Sequence, residues 1–240
     1  MPDYRAKLLN KETVAEGTMA FSFAKPAGFD FKPGQSSDLT LLNPPETDAE
    51  GNVRTFSIVS APSESDLTFA TRMRDTAFKR ALRNMAPGTE IKLEGPMGSF
   101  NLHKNAAKPA VLLAGGIGIT PFMSMVREAA RRQGPHQIYL FYSNRRPEDT
   151  AFLDELTALQ KQNANFHLIA TMVEMDKSKQ SWNGERGFID AAMLQRHLPE
   201  LNGPIYYIAG PPAMVAAMRD MLATAGVDED DIRTEDFAGY

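Results

Sequence analysis

The stretch LLAGGIGITPFMSMV, Leu112–Val126, passes from a short apolar run through glycines into an amphipathic pattern. Strand-turn-helix units of nucleotide-binding folds begin this way. Gly116, Gly118 and Pro121 stand where the fingerprint G-x-G-x-x-G has its three glycines, so the third is replaced. A proline is well tolerated in the first turn of a helix. Phe122, Met123, Val126, Ala129 and Ala130 fall on one helical face and predict a buried side for a helix over 121–132.

Downstream of this unit, strand and helix patterns alternate: QIYLFYS, EDTAFLDELTALQKQ, NFHLIATM, IDAAMLQRHL, PIYYIAG, PAMVAAMRDMLATAG and DIRTEDF. Such alternation predicts a doubly wound parallel sheet with helices on both faces. Upstream lie six short strand patterns, YRAKLLNKE, MAFSFAK, SDLTLL, RTFSIVS, LTFATRMR and EIKLEG, interrupted by one helical segment, AFKRALRNM. Turn-rich breaks between them predict a small antiparallel six-stranded barrel. The fold class is therefore β followed by α/β, with domains at 1–105 and 106–240. A cofactor in the cleft between them is expected. NPPETDAEGN and EMDKSKQSWNGE read as polar loops.

The chain has 240 residues, 42% of them hydrophobic and 23% charged, as in ordinary soluble domains. No apolar run is long enough to span a membrane and the polar start MPDYRAKLLNKE does not resemble a signal peptide, so a cytoplasmic location is expected. The absence of cysteine excludes a cysteine-ligated iron-sulfur cluster in this chain, so such a partner would be another chain. His103, His136, His167 and His197 lack ligand spacing and read as packing or surface residues, with no metal expected. Residues 1–105 carry 13 Lys+Arg and 13 Asp+Glu, leaving 13 against 17 in the rest. Within the first part, Arg72, Arg74, Lys79, Arg80 and Arg83 face only Asp75 in sequence, a basic patch suited to a phosphate-bearing cofactor or an acidic protein. Nucleic acid is not expected without a wider basic surface.

RTFSIVSAP, Arg54–Pro62, sets a cation, the hydroxyls of Thr55 and Ser57, and an aromatic, Phe56, on one strand. A flavin needs such a set: a cation for phosphate, an apolar plate for the ring and a donor near N5. A half-buried strand with a surface arginine is the other reading.

Five segments in register, RTFS, GPMGSF, GGIGITP, YIAGPPAMV and the terminal EDF, resemble the ferredoxin-NADP reductase superfamily over nearly the whole chain. The resemblance implies FAD on the barrel, with Arg54 at its phosphates, Phe56 against the isoalloxazine and Ser57 near N5. It also implies the main chain of Ala70, Thr71 and Arg72 along the ribityl and phosphate region. Thr76, Ala77 and Phe78 would present a helix N-terminus to the pyrophosphate, or Thr76 would serve as a helix cap alone. Gly115, Gly116, Gly118 and Thr120 would take NADPH or NADH. Ser143, Asn144, Arg145 and Arg146, after the next strand, offer donors and charge to the adenosine ribose and lean toward a 2′-phosphate. Gly210, Pro211 and Met214 match the family's C-G-P-P-x-M turn, in which Ala209 replaces the cysteine. Glu235 and Phe237 match its acidic-aromatic terminus, with Tyr240 three residues beyond.

The resemblance implies an FAD-dependent NAD(P)H oxidoreductase that passes electrons to an acidic ferredoxin, a flavodoxin or an oxygenase component. Ser57 and Glu235 would tune the hydride step, and Phe237 or Tyr240 would gate it. A monomer is expected. Rival readings are a free flavin or quinone reductase and a non-catalytic NAD(P)-binding regulatory subunit.

Overall fold

The computed structural model describes residues 3–237. Its first part contains β1 (Asp3–Ala15), β2 (Thr18–Ala24), β3 (Ser36–Leu41), β4 (Val53–Ser57), β5 (Asp66–Arg72) and β6 (Glu90–Met97), with helix α1 (Ala77–Asn84) before the last. The strand order is β4-β3-β6-β1-β2-β5, and every pairing is antiparallel. The two ends of that sheet meet: Ile58, just past β4, bridges Phe69 of β5, and the Val59 N–H donates to Thr68 O at 2.8 Å. This closure forms the expected barrel and removes exposed strand edges. In β6, Ile91 and Leu93 point into the barrel while Glu90, Lys92 and Glu94 face outward, the period of two of a half-buried strand.

The second part contains β7 (Ala110–Gly115), a 3-10 turn over Gly116–Gly118, α2 (Ile119–Arg132), β8 (Ile138–Asn144), α3 (Leu153–Gln162), β9 (Phe166–Met172), β10 (Glu185–Arg186), α4 (Ala191–His197), β11 (Ile205–Gly210), α5 (Pro212–Thr224) and β12 (Ile232–Asp236). These strands pair in parallel in the order β10-β9-β8-β7-β11-β12. All six residues of β7 are buried, as a central strand covered on both faces requires. Its side chains alternate: Ala110, Leu112 and Ala114 pack with α2 and α3, while Val111 and Leu113 pack with α4 and α5. The sheet is therefore doubly wound, as the alternation of elements predicts. Its strand order reverses between β7 and β11, where open α/β sheets place their ligands.

Two local expectations differ from the structure. The polar stretch 174–185 ends in the first residue of β10, a two-residue strand that continues the sheet beside Thr171 and Met172. Helix α2 begins at Ile119, so Pro121 sits in its first turn, and it buries more than the one predicted face. Ser124 donates to Ser60 O at 2.7 Å, and Ser63 donates through Oγ to Glu128 Oε2 at 2.7 Å. Arg127 reaches Glu155 on α3 at 2.6 Å and Glu64 of the barrel at 3.6 Å. Val59, Ala70 and Phe100 share one apolar cluster with Phe122 and Met125 of α2. The helix is thus a pillar packed between barrel and parallel sheet, and both its faces are interior. Among the described residues, no helix is long and apolar enough to cross a membrane.

Candidate functional site

A cleft of about 600 Å³ opens between the barrel and the parallel sheet. The barrel lines it with Arg54, Thr55, Phe56 and Ser57 from the end of β4, Ala70, Thr71 and Arg72 from the end of β5, and Thr76 at the start of α1. Ile117, Thr120, Glu235 and Phe237 close it from the other side. Strand ends, not a single loop, bring these segments together, because β4 and β5 meet at the barrel's closure and β12 lies beside β11 at the reversal of the sheet.

Ser57 is buried, 7% exposed, and Phe56 is half-buried with its ring 5.9 Å from Phe78. Thr55 is exposed and its hydroxyl donates to Asp38. Thr76 caps α1, its Oγ1 accepting from the Lys79 N–H at 3.3 Å. Ala77 and Phe78 are buried behind it and do not line the cleft. Lys79 reaches the carbonyl of Arg72 at 2.7 Å. Burial, reinforced by Arg74 and Arg54 nearby, holds its ammonium below the usual lysine range, the mark of a cation crowded by cations in partial shelter from water.

The basic patch is less basic than local sequence implies. The polar loop over 43–52 folds onto it and supplies three carboxylates. Asp48 accepts from Arg54 Nη2 at 3.3 Å and from the Ala77 N–H at the head of α1 at 3.1 Å. Glu50 pairs with Arg54 at 2.7 Å, and Glu46 pairs with Arg80, which also binds Asp75. Desolvation opposes ionisation of Asp48, but the N–H groups of Glu50 and Ala77 and the Arg54 guanidinium together hold its carboxyl below the usual range. A count along residues 72–83 misses Glu46 and Asp48 because they lie about 30 residues before Arg80 and Ala77 in sequence. Besides Glu50, the sequence reading misses Ser36, Ile117 and Asp236 as cleft residues. Ile117 and Asp236 stand at variable positions inside GGIGITP and EDF, and Ser36 and Glu50 lie outside the quoted motifs.

The glycines of the two turns pack against each other. Gly116 has φ +52°, open to glycine without strain. A Cβ on Gly118 would lie 2.2 Å from Ala209 O, and one on Gly210 would lie 3.2 Å from the backbone of Gly115. Met214 of α5 packs over Gly115, and Pro211 stands at the N-terminus of α5. Thr120 is 3% exposed and its hydroxyl donates to Ile117 O at 3.0 Å. Ser143, Asn144, Arg145 and Arg146 lie at the end of β8 and beyond it, outside the cleft lining.

Glu235 pairs in register with Ala209, and the Phe237 N–H donates to Gly210 O at 3.0 Å, so the terminal segment is tied to the turn after β11. Glu235 Oε2 is buried and, among the described residues, has no hydrogen-bond partner. Burial, with a smaller push from the charge of Asp236, raises its pKa to about 7. Tyr240 lies outside the described residues. The histidines take packing positions: His103 Nδ1 is 3.1 Å from the Tyr207 hydroxyl, His167 stacks on Tyr139, and His197 lies 2.8 Å from Glu185.

A family model described as "Oxidoreductase NAD-binding domain" matches residues 112–220. The glycine betaine monooxygenase reductase subunit of Chromohalobacter salexigens is 31% identical over 95% of this chain, which spans 61% of that relative's length. The reductase component of propane 2-monooxygenase from Mycolicibacterium goodii is 31% identical over 98% of this chain and 68% of its own length. The ferredoxin NADP+ reductase of Neisseria gonorrhoeae, solved with bound FAD and NADP, superposes with a TM-score of 0.80 at 23% identity over 98% of both chains. Sequence, strand order and these likenesses agree: the chain belongs to the ferredoxin-NADP reductase superfamily, with reductase components of oxygenases among its relatives.

Proposed function

We propose that the chain is an FAD-dependent NAD(P)H oxidoreductase, with the flavin on residues 1–105 and the nicotinamide nucleotide on 106–240. The observation that carries this reading is the single cleft in which the Arg54–Ser57 segment faces Thr120, Glu235 and Phe237. Its residues fit a flavin: an aromatic plate in Phe56, a sheltered hydroxyl in Ser57, cations in Arg54, Arg74 and Lys79, and on Glu235 a buried carboxyl oxygen that has no partner among the described residues. Held by these residues, an isoalloxazine would supply hydride and single-electron redox chemistry. The protein aligns the two rings and excludes water. Phe56 and Phe237 offer apolar contact, Ser57 offers a donor, and an anion beside Lys79 relieves the crowding of its charge. Glu235 can hold a proton at Oε2 near neutral pH.

The reductase components among the relatives support a separate electron acceptor, such as a ferredoxin, flavodoxin or oxygenase component. The reading includes a monomer acting in the cytoplasm; sedimentation checks the former. Anaerobic stopped-flow reduction of the bound flavin by NADH and by NADPH tests the activity: reduction by at least one is expected, and reduction by neither removes it.

A second reading, a reductase of freely exchanging flavin, is favoured by one observation. Asp48 and Glu50 already hold Arg54, and Asp48 also holds the α1 N-terminus, so a phosphate must displace carboxylates to enter. Gel filtration separates the two readings, because a resident FAD co-elutes with the protein.

A further inference from the structure

We infer that Asp149 and Glu16 withhold Arg146 from ligand, and that this makes the adenosine side of the dinucleotide site select NADH over NADPH. The inference rests on the nucleotide assignment above. Dinucleotide sites of this architecture place the adenosine ribose at the end of the strand after the glycine turn, here β8, where a nearby arginine accommodates a 2′-phosphate. Two guanidinium groups stand at that point, on Arg145 and Arg146.

Arg146 is already committed. Its Nε and Nη2 grip both oxygens of Asp149 at 2.9 and 3.0 Å, and Nη2 also binds Glu16 Oε2 at 3.1 Å. The fork is planar and bidentate, the strongest form of this pairing. Its hydrogen bonds to Asp149, with the nearby charges of Asp149, Glu16 and Glu148, raise the arginine's pKa above its ordinary value. The clasp also crosses the molecule. Glu16 belongs to the turn between β1 and β2, and its N–H donates to Glu148 O at 2.8 Å, fixing that turn against residues 147–149. Arg145 remains half exposed, with Nη2 3.7 Å from Asp149 Oδ1.

Two cations therefore meet three carboxylates, those of Asp149, Glu16 and Glu148. Glu148 is held ionised below the usual range by its own N–H, the Lys179 N–H and the Ser178 hydroxyl. A 2′-phosphate would have to draw Arg146 off Asp149, whose side chain is only 5% exposed. It would leave a sheltered carboxylate unpaired beside a second anion, which is costly. A ribose 2′-hydroxyl makes no such demand. Selection here comes from the partner of the arginine, with no acidic residue needed at the strand end to bind the ribose.

The test is an equilibrium titration of the FAD-loaded protein with AMP and with adenosine 2′,5′-bisphosphate at fixed salt. The 2′-phosphate is expected to add no affinity in the unaltered protein. Asp149→Asn and Glu16→Gln are each expected to improve bisphosphate over AMP, by about tenfold and about threefold, as release of a charge-assisted partner implies. Glu16 is exposed, so Glu16→Gln carries the test even if Asp149→Asn fails to fold. The inference is overturned if the unaltered protein binds the bisphosphate tenfold more tightly than AMP, or if Glu16→Gln leaves the ratio unchanged. Flavin reduction by NADH alongside either result leaves the proposed activity standing. Binding of neither adenosine phosphate removes the nucleotide assignment and this inference together.

Discussion

The molecule presents two helix N-termini near its cleft and satisfies them by opposite means. At α1, side chains do the work: Thr76 caps the helix and Asp48 accepts from Ala77. At α2, the N-cap is Gly118, which has no side chain with which to cap the helix. What fixes α2 is the close meeting of its glycine turn with the turn after β11. The first solution is built of parts that can be exchanged one at a time, and the second of backbone that leaves no room for any. Substitutions at the two sites should therefore differ in size.

The largest expected effect is at Gly118→Ala. A new Cβ 2.2 Å from a backbone oxygen cannot be absorbed by a rotamer change, and a loss of about 3 kcal/mol or more is expected in denaturant titration. A loss below about 1 kcal/mol would break the comparison.

Next is Glu235, where the terminal segment meets the cleft. Its folded pKa, about 7, lies well above the ordinary glutamate value. The folded state therefore holds the proton more tightly, and stability from this group is full below the unfolded pKa and falls as pH rises through about 7. Glu235→Gln should flatten that fall, worth of the order of 3 kcal/mol at most, in melting curves between acidic and mildly alkaline buffer. A pH profile unchanged by the substitution would show that the carboxyl is not sheltered.

Thr76→Ala sharpens the comparison from the other side. Loss of a side-chain cap costs about 1 kcal/mol, well short of the glycine substitution. The smallest effect belongs to Arg80→Glu. Glu46 and Asp75 already occupy this exposed arginine, so reversal should change reduction of an acidic acceptor by less than about twofold at physiological salt. A collapse of the rate would restore a steering role that the pairing argues against.

The same contrast explains what could be read from sequence. The glycine turn was legible because backbone constraints leave their mark in consecutive residues, and β7 was legible because burial on both faces leaves an unbroken apolar run. The barrel's strands showed through alternation such as Ile91 and Leu93 in β6. The acidic loop was not legible, because Glu46 and Asp48 meet α1 only after the chain has folded. Nor was the second face of α2, because Ser124 and Glu128 look solvated until Ser60 and Ser63 are seen opposite them. Arg146 was visible as a charge, but its partner Glu16 is 130 residues away.

The pillar α2 has a bearing on how such reductases can be recombined. A chimera joined at the expected boundary between residues 105 and 106 would look natural from the sequence, yet it would separate α2 from the barrel loop it was fitted to. Ser60, Ser63 and Glu64 would face a foreign helix. The transferable cassette is the parallel sheet together with residues 59–64 of the barrel, so a productive exchange follows the seam of packing and not the order of the chain.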